Sequence, residues 1–155
     1  MIVREVPVAV AERAALAAMV RQYVAEMVQY APDASADMPY PYFDLYWSEP
    51  DIRWPFWLTA HDSMAGFALV RREAESRTTQ MAEFFVAPAH RGQGIGLAAP
   101  RHLIAHFPGL WKIPQREPNA GAITFWHRVL DGFVGYEETA THIDAIRREQ
   151  RFSFP

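Results

Sequence analysis

The chain has no cysteine among its 155 residues. That excludes disulfides, thiolate metal sites and cysteine nucleophiles. It also lacks any apolar run near the roughly 20 residues needed to cross a bilayer. The opening MIVREVPVAV carries charge inside a short apolar stretch and is too short for a signal peptide, so a cytoplasmic location is expected. Positive charge is not in excess: 15 basic residues against 18 acidic ones give a formal net charge of −3. Neither nucleic acid nor membrane is expected as a partner on that balance. The pairs Arg71-Arg72 and Arg147-Arg148 read as solvated edges. Repeats, low-complexity linkers and charge blocks are also missing, so residues 1–155 read as one domain. No metal-binding cluster is expected.

What is present is a chain half apolar, with aromatics at 14 % and 12 prolines; many of the aromatics and several of the prolines fall between residues 40 and 57. Residues 2–7 alternate weakly and read as a strand. Residues 9–30 carry a helical stripe of Leu16, Val20, Tyr23, Val24 and Met27, stopped by Ala-Pro-Asp at 31–33. Residues 32–54 lack a clean period and read as a long ordered loop with a short helix around 43–47. Strands are predicted at 56–60 and 66–72, joined through His61-Asp62-Ser63, and at 79–86. A helix over 94–107, a strand over 110–115, a helix over 119–130 opened by an Asn cap, and strands at 133–138 and 151–154 complete the order. The order predicts an α/β domain with a mixed sheet.

The segment FFVAPAHRGQGIG, at 84–96, places three glycines at alternate positions between a strand and a helix. A glycine-rich turn there suits a phosphate held close to the backbone. A Walker A loop needs Lys-Ser or Lys-Thr after its last glycine, and none follows. A dinucleotide fingerprint needs glycine three residues after Gly94, where Leu97 stands. The spacing that fits is R-x-x-G-x-G, at Arg91, Gly94 and Gly96. Its plain structural alternative is a tight turn that only starts a helix.

FFVAPAHRGQGIG resembles the acyl-CoA motif of the GNAT N-acetyltransferase superfamily, including the lead-in of Phe85, Val86 and Pro88. WKIPQREPNAGAITFW, at 111–126, resembles the strand, Asn cap and helix that complete that family's cofactor site. The likeness is strongest over residues 81–137, and points to a small bacterial single-domain member. It implies a mostly antiparallel central sheet of six to seven strands, flanked by helices and splayed at the cofactor site. It also implies acetyl-CoA as co-substrate, with transfer of the acetyl group to a primary amine by direct attack. Arg91, Gly92, Gln93, Gly94, Ile95 and Gly96 would bind the CoA pyrophosphate through backbone amides. Phe85 and Val86 would pair with pantetheine through their backbones, and Asn119 would reach the same arm, although an Asn cap alone explains it as well.

For the base, Glu83 is the only acid on the strand entering the glycine turn, and regular alternation would put it on one face with Met81 and Phe85. Apolar neighbours there would raise its pKa. Many family members place a Glu three residues earlier, where this chain has Gln80; others use the next strand, where it has Pro114. The family's Tyr, seven residues after the Asn, is replaced by Trp126. Trp126 cannot donate a proton in this role and is expected to pack against the pantetheine arm or thioester. Tyr42, Tyr46 or His127 are the candidates to replace it.

The aromatic stretch at 38–54 falls where these enzymes build the acceptor side. Tyr46 and Trp47 are the first choices to line a pocket, among Tyr40, Tyr42, Phe43 and Trp54, with Asp44 or Glu49 drawing in a cationic amine. The plain alternative is that these rings only cover the sheet. Pro100 falls inside the helix after the glycine turn, where it removes a bond to Gly96 and predicts a kink. Partners expected are a small-molecule or peptide amine and, as an option, a second copy of the chain. The competing function is a non-catalytic acyl-CoA-binding sensor or interaction domain of the same fold.

Overall fold

Period-two patterning and turn residues build the sheet from its hairpins outward. The computed structural model describes residues 3–31, 39–116, 118–132, 141–144 and 147–154. Strands β2 (Arg53–Ala60) and β3 (Ser63–Arg72) are joined by His61 and Asp62, both at positive φ (50° and 61°), the two-residue turn whose twist matches that of a hairpin. Strand β1 (Val3–Pro7) adds antiparallel to β2, and β4 (Thr79–Val86) antiparallel to β3. The central β3 is buried from Ala65 to Val70, which fits a strand covered on both faces.

Helix α1 (Arg13–Met27) and the one-turn α2 (Leu45–Ser48) cover one face of the sheet. Their Leu16, Val20 and Tyr46 pack on Trp57, Phe67, Leu69 and Phe85. Helices α3 (Ile95–His106) and α4 (Ala120–Leu130) cover the other, bringing Leu103, Ile104, Val129 and Leu130 against Leu58, Val70 and Met81. Strands β5 (Gly109–Arg116), β6 (Thr141–Asp144) and β7 (Arg147–Phe154) complete a seven-stranded sheet of order β1-β2-β3-β4-β5-β7-β6. The expected mixed, mostly antiparallel sheet flanked by helices is what forms. The final strand begins at Arg147, earlier than expected, and its antiparallel partners are β5 and β6. The strand predicted at 133–138 lies outside the described residues.

Two irregularities set up the site. Strands β4 and β5 run parallel but share register only at Thr79↔Trp111 and Gln80↔Lys112, and beyond Gln80 they part. The predicted splay is therefore there, opening beside the C-terminal half of β4. The second irregularity lies within β4. Leu69 pairs with Glu83 but Val70 pairs with Met81, so Ala82 is an extra residue, a β-bulge. The bulge turns Met81 into the α3/α4 core while Glu83 faces α1, so the expectation that these two share a face fails. Phe85 does share a face with Glu83, packing with the α1 cluster.

Helix α3 runs without interruption from Ile95 through the buried Pro100, starting one residue later than predicted.

Candidate active site

The glycine turn leaves its amide groups unused. Among the described residues, no backbone N–H from Gly92 to Gly96 donates a hydrogen bond, while the helical ladder begins with Leu97 and Ala98 donating to the Gly94 carbonyl (3.2 and 3.1 Å). Gly92 and Gly94 have φ of 75° and 83°, a left-handed conformation that strains any residue with a Cβ. Gly96 has a different reason to be glycine: a Cβ would sit 3.2 Å from the Phe125 ring of α4. The buried Ile95 side chain anchors the turn against Ala60 and Ala65. Consecutive free amides at the positive end of a twelve-residue helix form a concavity suited to an anion.

Arg91 is not among the free amides, since its N–H donates to the Pro88 carbonyl (3.3 Å). Its Nε donates to the Val86 carbonyl (2.8 Å) and its Nη2 pairs with Glu26 (2.8 Å), bracing β4 against α1. The expectation for β4 needs a shift of phase. The Phe85 carbonyl lies 2.0 Å from where a Gly66 Cβ would be, and the Ala87 N–H donates to Ala65, so both point toward β3. Strand alternation then turns the main-chain groups of Phe84 and Val86, rather than Phe85, toward the splay.

Two cavities meet at that opening. One, of about 430 Å³, is bounded by Phe84, Val86, Gly92, Gly96 and Gly121 and faces the free amides. The other, of about 450 Å³, lies toward the α1/α2 side and is bounded by Tyr40, Tyr42, Glu83 and the ends of β2, β3 and β5. Tyr23, Met27, Phe84, Asn119, Ala122 and Phe125 border both.

Glu83 borders the second cavity next to the shared Phe84, and its surroundings are phenolic, not apolar as expected. The Tyr23 hydroxyl donates to Glu83 Oε2, and the Tyr40 hydroxyl lies beside the same carboxylate. Burial, then the charge of Glu83, pushes the Tyr23 hydroxyl well above the usual phenol range; Tyr40 and Tyr46 shift the same way from the same causes. All three phenols therefore keep their protons at neutral pH. The sequence placed Tyr23 in a packing stripe without chemistry. The signal that would have found it is its position facing the bulged carboxylate, which only the fold supplies.

Asn119 caps α4: its Oδ1 accepts from the Ala122 N–H at 3.0 Å. Its amide group has only a weak contact with Met27 Sδ (3.9 Å) and borders both cavities, so capping and ligand contact are compatible. Trp126 is buried against Phe84 and Phe125 (5.5 and 5.0 Å between ring centres) and closes one wall of the Glu83 cavity.

The aromatic stretch divides. Tyr40 and Tyr42 border the cavity, but Tyr46 and Trp47 do not; they pack beneath α1 with Phe43. The Tyr46 hydroxyl and Trp47 Nε1 are buried without a well-formed hydrogen bond, with Tyr40 and Arg53 the polar neighbours of Tyr46. Trp54 packs on Phe107 on the opposite face (4.8 Å). Asp44 and Glu49 are held outside the cavity by Arg13 and Arg53. Arg71, read as a solvated edge, borders the cavity, while Arg72 lies over Trp54. His127 is exposed and borders neither cavity.

The family model for the acetyltransferase (GNAT) family matches residues 18–131, most of the chain. The chain belongs to the GNAT family. Solved GNAT structures share its fold: the ribosomal-protein-S18-alanine N-acetyltransferase from Escherichia coli aligns with a TM-score of 0.64 at 17 % identity, covering 99 % of this chain and 96 % of that one. The spermidine N-acetyltransferase from Vibrio cholerae, in complex with CoA and spermine, aligns at 0.65 and 13 % identity over 97 % and 93 %. The GNAT domain of S. lividans PAT gives 0.68 at 16 % identity over 96 % and 89 %. No curated protein matches the sequence. Acetyl transfer is thus the class of chemistry.

Proposed function

We propose that the protein is an acetyl-CoA-dependent N-acetyltransferase with the donor in the cavity beside the glycine turn and a primary amine in the cavity beyond Glu83. The observation that carries this reading is the meeting of the two cavities at Tyr23 and Phe84 beside the gap between β4 and β5, with Glu83 on the acceptor side of that meeting. The donor fits the residues: unused amides at 92–96 match a diphosphate, and the β4 edge at Phe84 and the Val86 N–H, turned away from β3, matches an extended amide-bearing arm. Solved relatives are complexes with CoA. When bound, acetyl-CoA supplies an activated acyl group on a thiol of cysteine-like acidity, near pKa 8.5.

An amine of pKa about 10 arrives protonated at neutral pH and must lose that proton. Glu83 accepts it, directly or through water, from the acceptor side. While Glu83 is ionised its charge holds the Tyr23 proton in place. Once Glu83 is protonated that restraint is gone, and Tyr23 becomes the better donor. Because Tyr23 borders both cavities, a proton gained on the amine side can be delivered on the thiol side and replaced from Glu83. Tyr23 thereby stands in for the phenol absent at Trp126. The β4 edge at Phe84 and Val86 offers main-chain N–H groups to the acyl oxygen.

Free-thiol release from acetyl-CoA across a panel of amino acids, amino sugars, polyamines and peptide N-termini tests the reading. Turnover is expected, with Glu83→Gln lowering kcat roughly 10²- to 10⁴-fold. CoA binding with no turnover for any amine would instead establish a non-catalytic acyl-CoA binder. A Glu83→Gln rate equal to that of the parent across roughly pH 6 to 9 would remove Glu83 as the base.

A further inference from the structure

The acceptor-side cavity is positively charged. Arg53, Arg71 and Arg116 border it, with Glu83 as the one acid among its lining residues. Arg53 on β2 and Arg71 on β3 are direct cross-strand partners, so their side chains leave the same face of the sheet side by side. Like charges in that relation destabilise a sheet unless something between them is negative. Arg116 enters from the end of β5, across the splay.

Protein groups offset these charges only in part. Glu49 takes the Nε of Arg53 (2.9 Å) but lies outside the cavity. The Nε of Arg71 donates to the neutral Gln80 (2.9 Å), and Glu73, at 3.8 Å, is engaged by Lys112. Arg116 has no ion pair among the described residues. Glu83 already receives the Tyr23 hydroxyl, with Tyr40 beside it. A polyamine would add cations to this set, whereas an acid group would satisfy Arg116 donors that have no carboxylate partner among the described residues.

We infer that the acceptor is a small amine that also bears an anionic group, a carboxylate or a phosphonate, seated on Arg53, Arg71 and Arg116 with its amine toward Glu83. This rests on the transferase reading and narrows its acceptor. A zwitterion matches the charges of this lining, with one carboxylate for its cation and the arginines for its anion.

The test is acetyl transfer to matched pairs: an amino acid against its carboxamide, and an aminoalkylphosphonate against the corresponding aminoalkanol, with spermidine as a cationic control. The anionic member of at least one pair is expected to be favoured about tenfold or more in kcat/KM, and the pair that shows it identifies the acid. Arg116→Gln should raise KM for that acceptor about tenfold and narrow the gap within the pair, with Arg116→Lys intermediate. A merely structural Arg116 would lower kcat for both members alike. Equal use of charged and neutral members, or faster transfer to spermidine, would overturn the inference. Calorimetry on the CoA-loaded protein with N-acetylated amino acids and their amides separates the two levels. Preference for the acid there, with no turnover of any amine, would overturn the transferase reading and leave the anion site standing. Turnover without preference would overturn the anion site alone.

Discussion

The two cavities are built from different parts of the chain. On the proposed reading the donor side is main chain: amide groups at 92–96 and the open edge of β4. The acceptor side is side chain: tyrosines from α1 and the loop before α2, arginines from three strands, and one glutamate. Main-chain groups cannot be changed by substitution except through the conformation that aims them, which ties the donor side to glycine at left-handed positions. Side chains can be exchanged one at a time. One enclosure thus keeps a constant ligand while the other is free to change its acceptor.

That contrast can be broken at its hinge, where the largest effect is expected. Tyr23→Phe should lower kcat roughly a hundredfold while keeping the ring packing, because the ring still meets Phe67 and Phe85 edge-on (5.6 and 5.7 Å). Steady-state rates at saturating acetyl-CoA decide it, and a change under threefold would return Tyr23 to a packing role. A smaller and one-sided effect is expected from Gly94→Val. A β-branched residue at φ 83° cannot hold the turn, so KM for acetyl-CoA should rise roughly ten- to a hundredfold while KM for the amine stays within about twofold. Equal rises for both substrates would erase the division between the two sides. The smallest effect belongs to Asn119→Ala, which removes a cap worth about 0.5–2 kcal/mol. Thermal or urea unfolding should show that loss. An additional rise in KM for acetyl-CoA would show that its amide group also touches the donor.

The same contrast explains what could be read beforehand. The glycine turn, the Asn cap and the strand leading in are local, and their spacing is fixed by backbone geometry, so residues 84–96 and 119–130 declare themselves. The acceptor side is assembled from residues 23, 40, 53, 71, 83 and 116, far apart in sequence, and apart from Glu83 beside the motif and Tyr40 in the aromatic stretch none has an unusual neighbourhood there. Arg71 looks like half of a solvated pair until the β2–β3 register sets it opposite Arg53. Tyr46 and Trp47 look like pocket residues because composition marks the stretch, but composition does not say which rings turn inward. They face the core, and the pocket is left to Tyr40 and Tyr42.

The extra residue at Ala82 has a further meaning for how such strands change over time. A regular strand counts in twos, so positions three apart have opposite parity and never serve the same side. With one residue inserted, Gln80 and Glu83 acquire the same parity, and both border the acceptor cavity. The strand therefore has two addresses for a carboxylate, one occupied here by an amide and the other by an acid. A chain of this shape can move its base from one address to the other by two point substitutions, without re-threading the sheet.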